Sequence, residues 1–310
     1  MDRPPGLTMT PLTWAMLVTL ALLWGCTFFF NAIALPDIPP LSLIALRVGG
    51  ATLVMWPILL MRGLAVPADR GSLGGLLIMG ALNNALPFAL IAWGQLSIAG
   101  GLAAVLIAMT PIFTVVAAHL MTDDERITPG RLAGVAAGLV GVVVLIGPAA
   151  LRELGADLVA QLAVLAAAVS YAYSGVYARR FTRRGVPLLA IATGQFTVAT
   201  LILAPLALIV DRPWTLDMPG LAAWSGVAGL ALSSTVIAYM LYFRILATAG
   251  ATNLLLVNFL VPVSAILLGS LVLGEVLEAK HFAGMALIGL GLSCIDGALW
   301  RRLRRAVRDF

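Results

Sequence analysis

The sequence predicts an all-α polytopic membrane protein: ten transmembrane helices, arranged as two inverted five-helix repeats around a central cavity. Three observations predict it. Of 310 residues, 61% are hydrophobic and only 11% charged, where a soluble domain carries about 25% charged residues. The apolar residues fall into runs of about 20, the length that crosses the hydrocarbon core as a helix, and the charges collect in the short breaks between them. A set of motifs also recurs at a separation of about 150 residues, the signature of an internal repeat.

The runs can be taken in order. The first, 11–34, contains Ala32-Ile33-Ala34, which has the small-x-small form of a signal cleavage site. A secretory signal has a shorter apolar core and a more basic start than the single Arg3 found here. The run is therefore predicted to be the first membrane helix. Pro36-Asp37 and Pro39-Pro40 turn the chain into 41–61, which ends at Arg62-Gly63. Spans 72–94 and 98–121 meet at Ala99-Gly100-Gly101, and Asp123-Asp124-Glu125 precedes 128–148. In the second half, 157–181 stops at Arg183-Arg184-Gly185 and 187–210 at Asp211-Arg212-Pro213. Spans 219–245, 250–273 and 280–300 complete the set. Glycine, proline and clustered charge at each break are turn chemistry. The tail after Trp300, with Arg301, Arg302, Arg304 and Arg305, is basic with an aromatic anchor.

Orientation follows from the basic residues, which concentrate on the cytoplasmic side of membrane proteins. With both termini cytoplasmic, only Arg152, Arg212 and Lys280 fall outside; the rest of the 19 Lys and Arg, Arg47 excepted, fall inside. The net charge of +5 is thus topology rather than a nucleic-acid surface. A bacterial inner membrane, with the lipid bilayer itself as a partner, is the expected location.

The repeat divides the chain at 1–150 and 151–310, the second part including the basic tail. Glu125, Gly134 and Gly141 recur as Glu275, Gly284 and Gly291 at the same spacings, and Pro111 corresponds to Pro262. Trp93 pairs with Tyr242, Gly80 with Gly229, Arg47 with Gln195 and Trp24 with Tyr171, in the same order along both halves. Five helices per half make the second half inverted, which is a transporter architecture with its site near the midplane where the halves meet.

The Leu23-Trp24-Gly25 start, Arg47 in the second span, the Ala-Gly-Gly turn, the mid-span Pro111 and Pro262, and the Glu125 and Glu275 turns resemble the drug/metabolite transporter superfamily in its ten-helix EamA-type branch. The resemblance covers nearly the whole chain. Its length and aromatic interior are also similar to the YddG-type aromatic amino-acid exporters. It implies a central cavity surrounded by spans 1, 3, 4, 6, 8 and 9, with spans 2, 5, 7 and 10 outside.

Residues for transport come from polar and aromatic groups inside apolar runs. The three-and-four spacing of a helix places Trp24, Phe28 and Asn31 on one face of the first span. It groups Asn84, Phe88 and Gln95 with Gly80 on the third, beside Asn83. On the sixth span it groups Ser174 and Tyr177 with Ser170, and Tyr171 lies alongside. Ser234 has Tyr239 beside it on the eighth, and Asn258 lies in the ninth. These residues describe a cavity with aromatic walls and a few amides and hydroxyls, suited to a small amphipathic solute; interhelical bracing is the competing reading. Arg47 has three readings: it snorkels, it braces two helices, or it binds a substrate carboxylate. Pro87, Pro111 and Pro262 each remove a backbone hydrogen bond, giving either hinges or static kinks.

No cofactor or metal is expected. Cys26 and Cys294 lack metal or redox spacing, and His119 and His281 fall on opposite sides, so no enzymatic constellation is read. There is no ATP-binding motif, and no carboxylate stands at the membrane centre; Asp296 lies near the inner end of the last span. Facilitated diffusion or weakly coupled exchange is expected. The predicted function is export of small amphipathic metabolites, aromatic or hydrophobic amino acids above all, by alternating access. Export of other metabolites or drugs is the alternative, and a non-transporting structural or signalling protein is the remote one. A small molecule is the expected partner of a monomer or homodimer.

Overall fold

The computed structural model describes residues 10–121, 129–146, 156–254, 257–274 and 279–296. Ten helical spans are found among them. α1 is Pro11–Ala34, α2 Pro40–Met61, α3 Arg70–Gly94, α4 Gly100–Met121 and α5 Pro129–Ile146. α6 is Ala156–Arg183 and α7 Leu188–Val210. α8 runs through Leu221–Ala228, Gly229–Ile237 and Ala238–Leu254. α9 is Val257–Leu268 continued by Gly269–Leu273, and α10 is Ala279–Asp296. Seven of these, α1 to α4 and α6 to α8, are long and apolar enough to cross a membrane. α5, α9 and α10 are shorter; the 18 residues of α5 span about 27 Å at 1.5 Å per residue, close to the ~30 Å hydrocarbon core.

Local chemistry sets the helix ends. The Thr10 side chain caps α1 by accepting from the Thr13 amide at 3.2 Å. Asp69 caps α3 by accepting from the Ser72 amide at 3.0 Å. Gly63 and Gly185 end α2 and α6 at φ +64° and +67°, the left-handed turn that glycine adopts without Cβ strain. One boundary differs from expectation. The predicted spans 219–245 and 250–273 leave a break at 246–249, yet α8 is helical through Leu254. The second half has only one glycine there, Gly250, followed by Ala251, and a lone glycine costs a helix only about 1 kcal/mol. The Glu125 and Glu275 turns, the basic tail and the side chains of Lys280, His281, Cys294 and Asp296 lie outside the described residues.

The outer surface is apolar. Leu53 is 76% exposed and Leu201 69%, which water would penalise and lipid does not. The polar side chains turn inward instead: Asn31, Asn84, Ser174, Ser234 and Thr235 are fully buried.

The helix contacts repeat when each helix is exchanged for the one five further on. α1 packs on α8 and α9; α6 packs on α3 and α4. α2 packs on α8, and α7 on α3. α2–α7, α4–α9 and α5–α10 are their own counterparts. At the α2–α7 crossing, Thr52 and Thr200 Oγ1 lie 3.2 Å apart. They stand at corresponding positions by the Arg47–Gln195 correspondence, as residues meeting on a pseudo-twofold axis must. At the α5–α10 crossing a Cβ on Gly141 would lie 3.0 Å from the Gly284 carbonyl, so small residues let these backbones touch. α10 packs chiefly on α5, with a lesser contact to α4, which agrees with an outlying position for that pair.

Candidate functional site at the crossing of the two halves

Midway along α3 and α8 the helix is wound as π-helix, at Ala81–Ala85 and Gly229–Ile237. The two segments begin at or just after the corresponding glycines Gly80 and Gly229. π-Winding leaves carbonyls without their usual partner and is frequent at functional sites. In α3, Pro87 has no N–H to give, and the Leu86 amide bonds to Ala81 rather than to Leu82. The Leu82 carbonyl so released accepts from Ser170 Oγ of α6 at 2.6 Å.

Among the polar contacts that join the halves at these segments, two reach in from α2 and α7. Arg47 Nε of α2 donates to Thr235 Oγ1 in the π-segment of α8 at 3.0 Å, across 188 residues of sequence. Asn83 Nδ2 in the π-segment of α3 donates to Gln195 Oε1 of α7 at 3.1 Å, across 112 residues. Arg47 and Gln195 are the pair matched by the repeat, and each reaches the π-segment of the opposite half, although Thr235 and Asn83 stand at different points along those segments. Asn83 also accepts from Ser174 Oγ at 2.9 Å.

Aromatic rings surround these bridges. The Arg47 guanidinium lies over Phe88, 3.9 Å from the ring centroid. Phe88 meets Tyr171 edge-on at 6.4 Å, and both Tyr171 and Tyr239 are within electrostatic reach of Arg47. On α8, Tyr239 packs against Phe196 at 5.1 Å and Phe243 at 5.8 Å. Tyr242 links onward to Trp24 of α1 at 5.9 Å. Arg47 is only 4% exposed and about 10 Å into its helix at 1.5 Å per residue, so its guanidinium is enclosed by protein and does not snorkel.

The remaining expected residues are distributed as follows. Asn31 Nδ2 donates to Gln95 Oε1 at 2.7 Å, and Gln95 Nε2 donates to the Phe28 carbonyl at 3.0 Å, which ties α1 to the end of α3. Asn84 is fully buried, with Nδ2 at 3.5 Å from the Met79 carbonyl. The Oδ1 atoms of both Asn31 and Asn84 have no partner. Ser234 Oγ donates to the Leu23 carbonyl at 2.7 Å, bracing α8 on α1. Tyr177 stands further along α6, under Arg180 at 4.6 Å and against Leu76, Met79 and Phe181. Asn258 is half-buried at the start of α9. Among the prolines, Pro111 follows a break in α4 at Ala108–Met109, Pro87 follows the π-segment, and Pro262 sits inside unbroken helix. Spacing along single helices gives no sign of Thr235 or Phe196. Gln195 was matched to Arg47 but given no contact; a deep amide opposite a deep arginine is the signal that could have found it.

The two ends of the bundle differ. At one, the Asp211 carboxylate accepts from the Ser42 amide at 2.6 Å and Asp37 accepts from the Gly220 amide at 2.8 Å, tying α7 to α2 and the α1–α2 turn to the start of α8. At the other, Arg184 and Asp69 face each other at 3.9 Å in solvent. Asp69 is held below the usual carboxylate range by the side-chain and backbone hydrogen bonds of Ser72, with a smaller contribution from Arg184. An open cleft of about 610 Å³ lies at this arginine-rich end, of the size that takes small ligands; its walls include Leu189, Met240, Leu241 and Phe243, with Arg62 and Arg244 at the rim.

Known proteins give this arrangement its relatives. The inner membrane transporter YedA of Escherichia coli (strain K12) is 28% identical over 279 residues, covering 88% of this chain and 86% of its own. PecM of Dickeya dadantii (strain 3937) is 26% identical over 287 residues, covering 91% and 92%. A protein named "Probable amino-acid metabolite efflux pump" of Escherichia coli (strain K12) is 29% identical over 299 residues, covering 93% and 95%. A protein of known crystal structure superposes with a TM-score of 0.67 at 21% identity, over 94% of this chain and 99% of that one, and so shares the fold. The EamA-like transporter family matches twice, over residues 12–147 and 158–295, once for each half. A helical membrane bundle whose halves pack as counterparts, with a polar and aromatic centre where they cross, thus belongs to the EamA-like transporter family.

Proposed function

We propose that this chain exports small amphipathic metabolites, aromatic or hydrophobic amino acids first among them, across a bacterial inner membrane by alternating access. Its termini are cytoplasmic, and residues 1–150 and 151–310 are the units that rock. The observation that carries the reading is the pair of bridges from the matched residues Arg47 and Gln195, Arg47–Thr235 and Asn83–Gln195, set among Phe88, Tyr171 and Tyr239. Hydrogen bonds between membrane helices stabilise by only about 0.6 kcal/mol on average, so bracing alone is a weak reason for so many polar groups at this depth. Trp24, Phe28, Phe88, Tyr171 and Tyr239 supply apolar walls. Arg47 supplies a carboxylate partner, and Asn31, Asn83, Asn84, Ser174, Ser234 and Asn258 supply the polar contacts. The arginine-rich end, where the cleft opens, is the cytoplasmic entrance. The carboxylate–amide contacts of Asp37 and Asp211 keep the opposite end shut.

The name carried by one relative, an amino-acid metabolite efflux pump, supports the substrate class. Export of other metabolites or drugs is the alternative within the same architecture. The test is uptake into liposomes holding the purified protein, with no ion gradient. Saturable flux of Trp, Phe or Tyr that stops on Asn84→Leu or Trp24→Ala is expected. If no amino acid moves in vesicles holding folded protein, the substrate assignment is rejected.

A further inference from the structure

Arg47 is a buried cation with no acid beside it among the described residues. Its polar contact is the single hydrogen bond to Thr235, and its other neighbour is the face of Phe88. Among the described residues, the acids are Asp37, Asp69, Asp157, Asp211 and Asp217, and every one of these side chains belongs to a helix end or a loop. The side chain of Asp296 is not described, but its backbone is the last residue of α10. A guanidinium held away from water is costly unless it is paired. Its unused N–H donors form a planar fork that matches a carboxylate.

We propose that the missing counter-charge belongs to the substrate, and that among small amphipathic metabolites the site favours a net anion over the amino acids named above: an aromatic or alkyl carboxylate without a compensating ammonium. This rests on the reading of the central site as the substrate's. Three features select an anion over a zwitterion. No carboxylate among the described residues stands near Arg47 to receive an ammonium. The Phe88 face, which would hold an ammonium by cation–π attraction, is already covered by Arg47. The cleft beside the site carries Arg62 and Arg244 at its rim, which draws anions and has no net pull on a zwitterion. Its wall residue Phe243 touches Tyr239, which is in turn within reach of Arg47. The unpartnered Oδ1 atoms of Asn31 and Asn84 can accept an N–H or O–H from the cargo, but an amide oxygen does not neutralise an ammonium.

An anion also removes the need for a proton relay. With the cell interior negative, moving one negative charge outward is favoured roughly 50-fold at 100 mV, about 2.3 kcal/mol. Uniport of an anion is then driven export without an intramembrane acid.

The experiment compares three probes of one shape in proteoliposomes under a set potential: phenylpyruvate (anion), phenylalanine (zwitterion) and phenylalaninamide (cation), each corrected for empty vesicles. Phenylpyruvate flux is expected to exceed phenylalaninamide flux by at least about 10-fold, the scale of one charge-assisted hydrogen bond, and to exceed phenylalanine flux. It should rise several-fold when the receiving side is made positive. Arg47→Gln should abolish the preference, and Arg47→Lys should keep part of it. If neither variant folds, the comparison among probes on the natural protein decides alone. Phenylalanine carried without phenylpyruvate, or phenylalaninamide carried as well as phenylpyruvate, overturns the anion inference and leaves the amino-acid reading standing. No movement of any probe in folded protein overturns both.

Discussion

Gly80→Ala should separate the fold from the site. Gly80 opens the π-segment of α3 where it meets α7. A Cβ there would lie 2.6 Å from Val198 Cβ and 2.9 Å from the Gln195 carbonyl oxygen. Comfortable carbon contacts lie at about 3.5–4.0 Å, and neither obstacle is the free end of a flexible side chain. α7 must therefore withdraw by about 1 Å. The Asn83–Gln195 bond, now 3.1 Å, would open to about 4 Å and be lost. Overpacking costs about 1–3 kcal/mol and the lost bond about 0.6 kcal/mol. Replacing helical glycine by alanine returns up to about 1 kcal/mol. The net expectation is a destabilisation of about 1–3 kcal/mol, with flux reduced further than stability. The control is Gly74→Ala on the same helix, where an added Cβ meets nothing within 4 Å; it should be neutral or stabilising. Thermal melting in detergent and liposome flux measure both. Gly80→Ala matching Gly74→Ala in stability and flux would refute the argument.

Three further outcomes follow from the same geometry. Asp69 has a lowered carboxyl pKa because Ser72 bonds to it; its cap contributes stability above the unfolded carboxylate range, near pH 4, and loses it as pH falls through the lower folded value. Melting curves of the natural protein and Asp69→Asn should differ at neutral pH and converge in acid, and a constant gap across that range would contradict the cap. Gly141→Leu should drive α10 from α5, because even a Cβ at Gly141 would lie 3.0 Å from the Gly284 carbonyl oxygen and the Ile288 amide nitrogen; overpacking of this kind costs about 1–3 kcal/mol or more, and an unchanged melting temperature would show that the contact is slack. Asp211→Asn removes the charge from the 2.6 Å contact with the Ser42 amide, a loss of about 1 kcal/mol; deuterium exchange at Ser42 should quicken several-fold, and identical exchange would exclude Asp211 as the tie at that end.

Much of the site could be read one helix at a time. The face of α3 is legible because Asn84, Phe88 and Gln95 follow Gly80 at helical spacing and the amides of Asn83 and Asn84 interrupt an apolar run. Tyr177 shares a face of α6 with Ser174, yet it stands under Arg180. Spacing ranks residues around a helix and says nothing of how far along it the partner helix reaches. Gln95 was grouped with the α3 face but not with Asn31, because the contact depends on where α1 crosses α3.

The sequence by itself determined the spans, the repeat and the family. Partition between lipid and water is a property of each residue, summed over about 20 neighbours in the chain, so it is legible without a fold. The tertiary structure alone decided that Arg47 meets Thr235 and Phe88, that Gln195 rather than Arg47 pairs with Asn83, and that a cleft lies beside Arg62 and Arg244. Those contacts join residues 41 to 188 positions apart. They exist because π-winding and the α2–α7 crossing turn particular side chains toward each other, and no local pattern in the chain records that rotation.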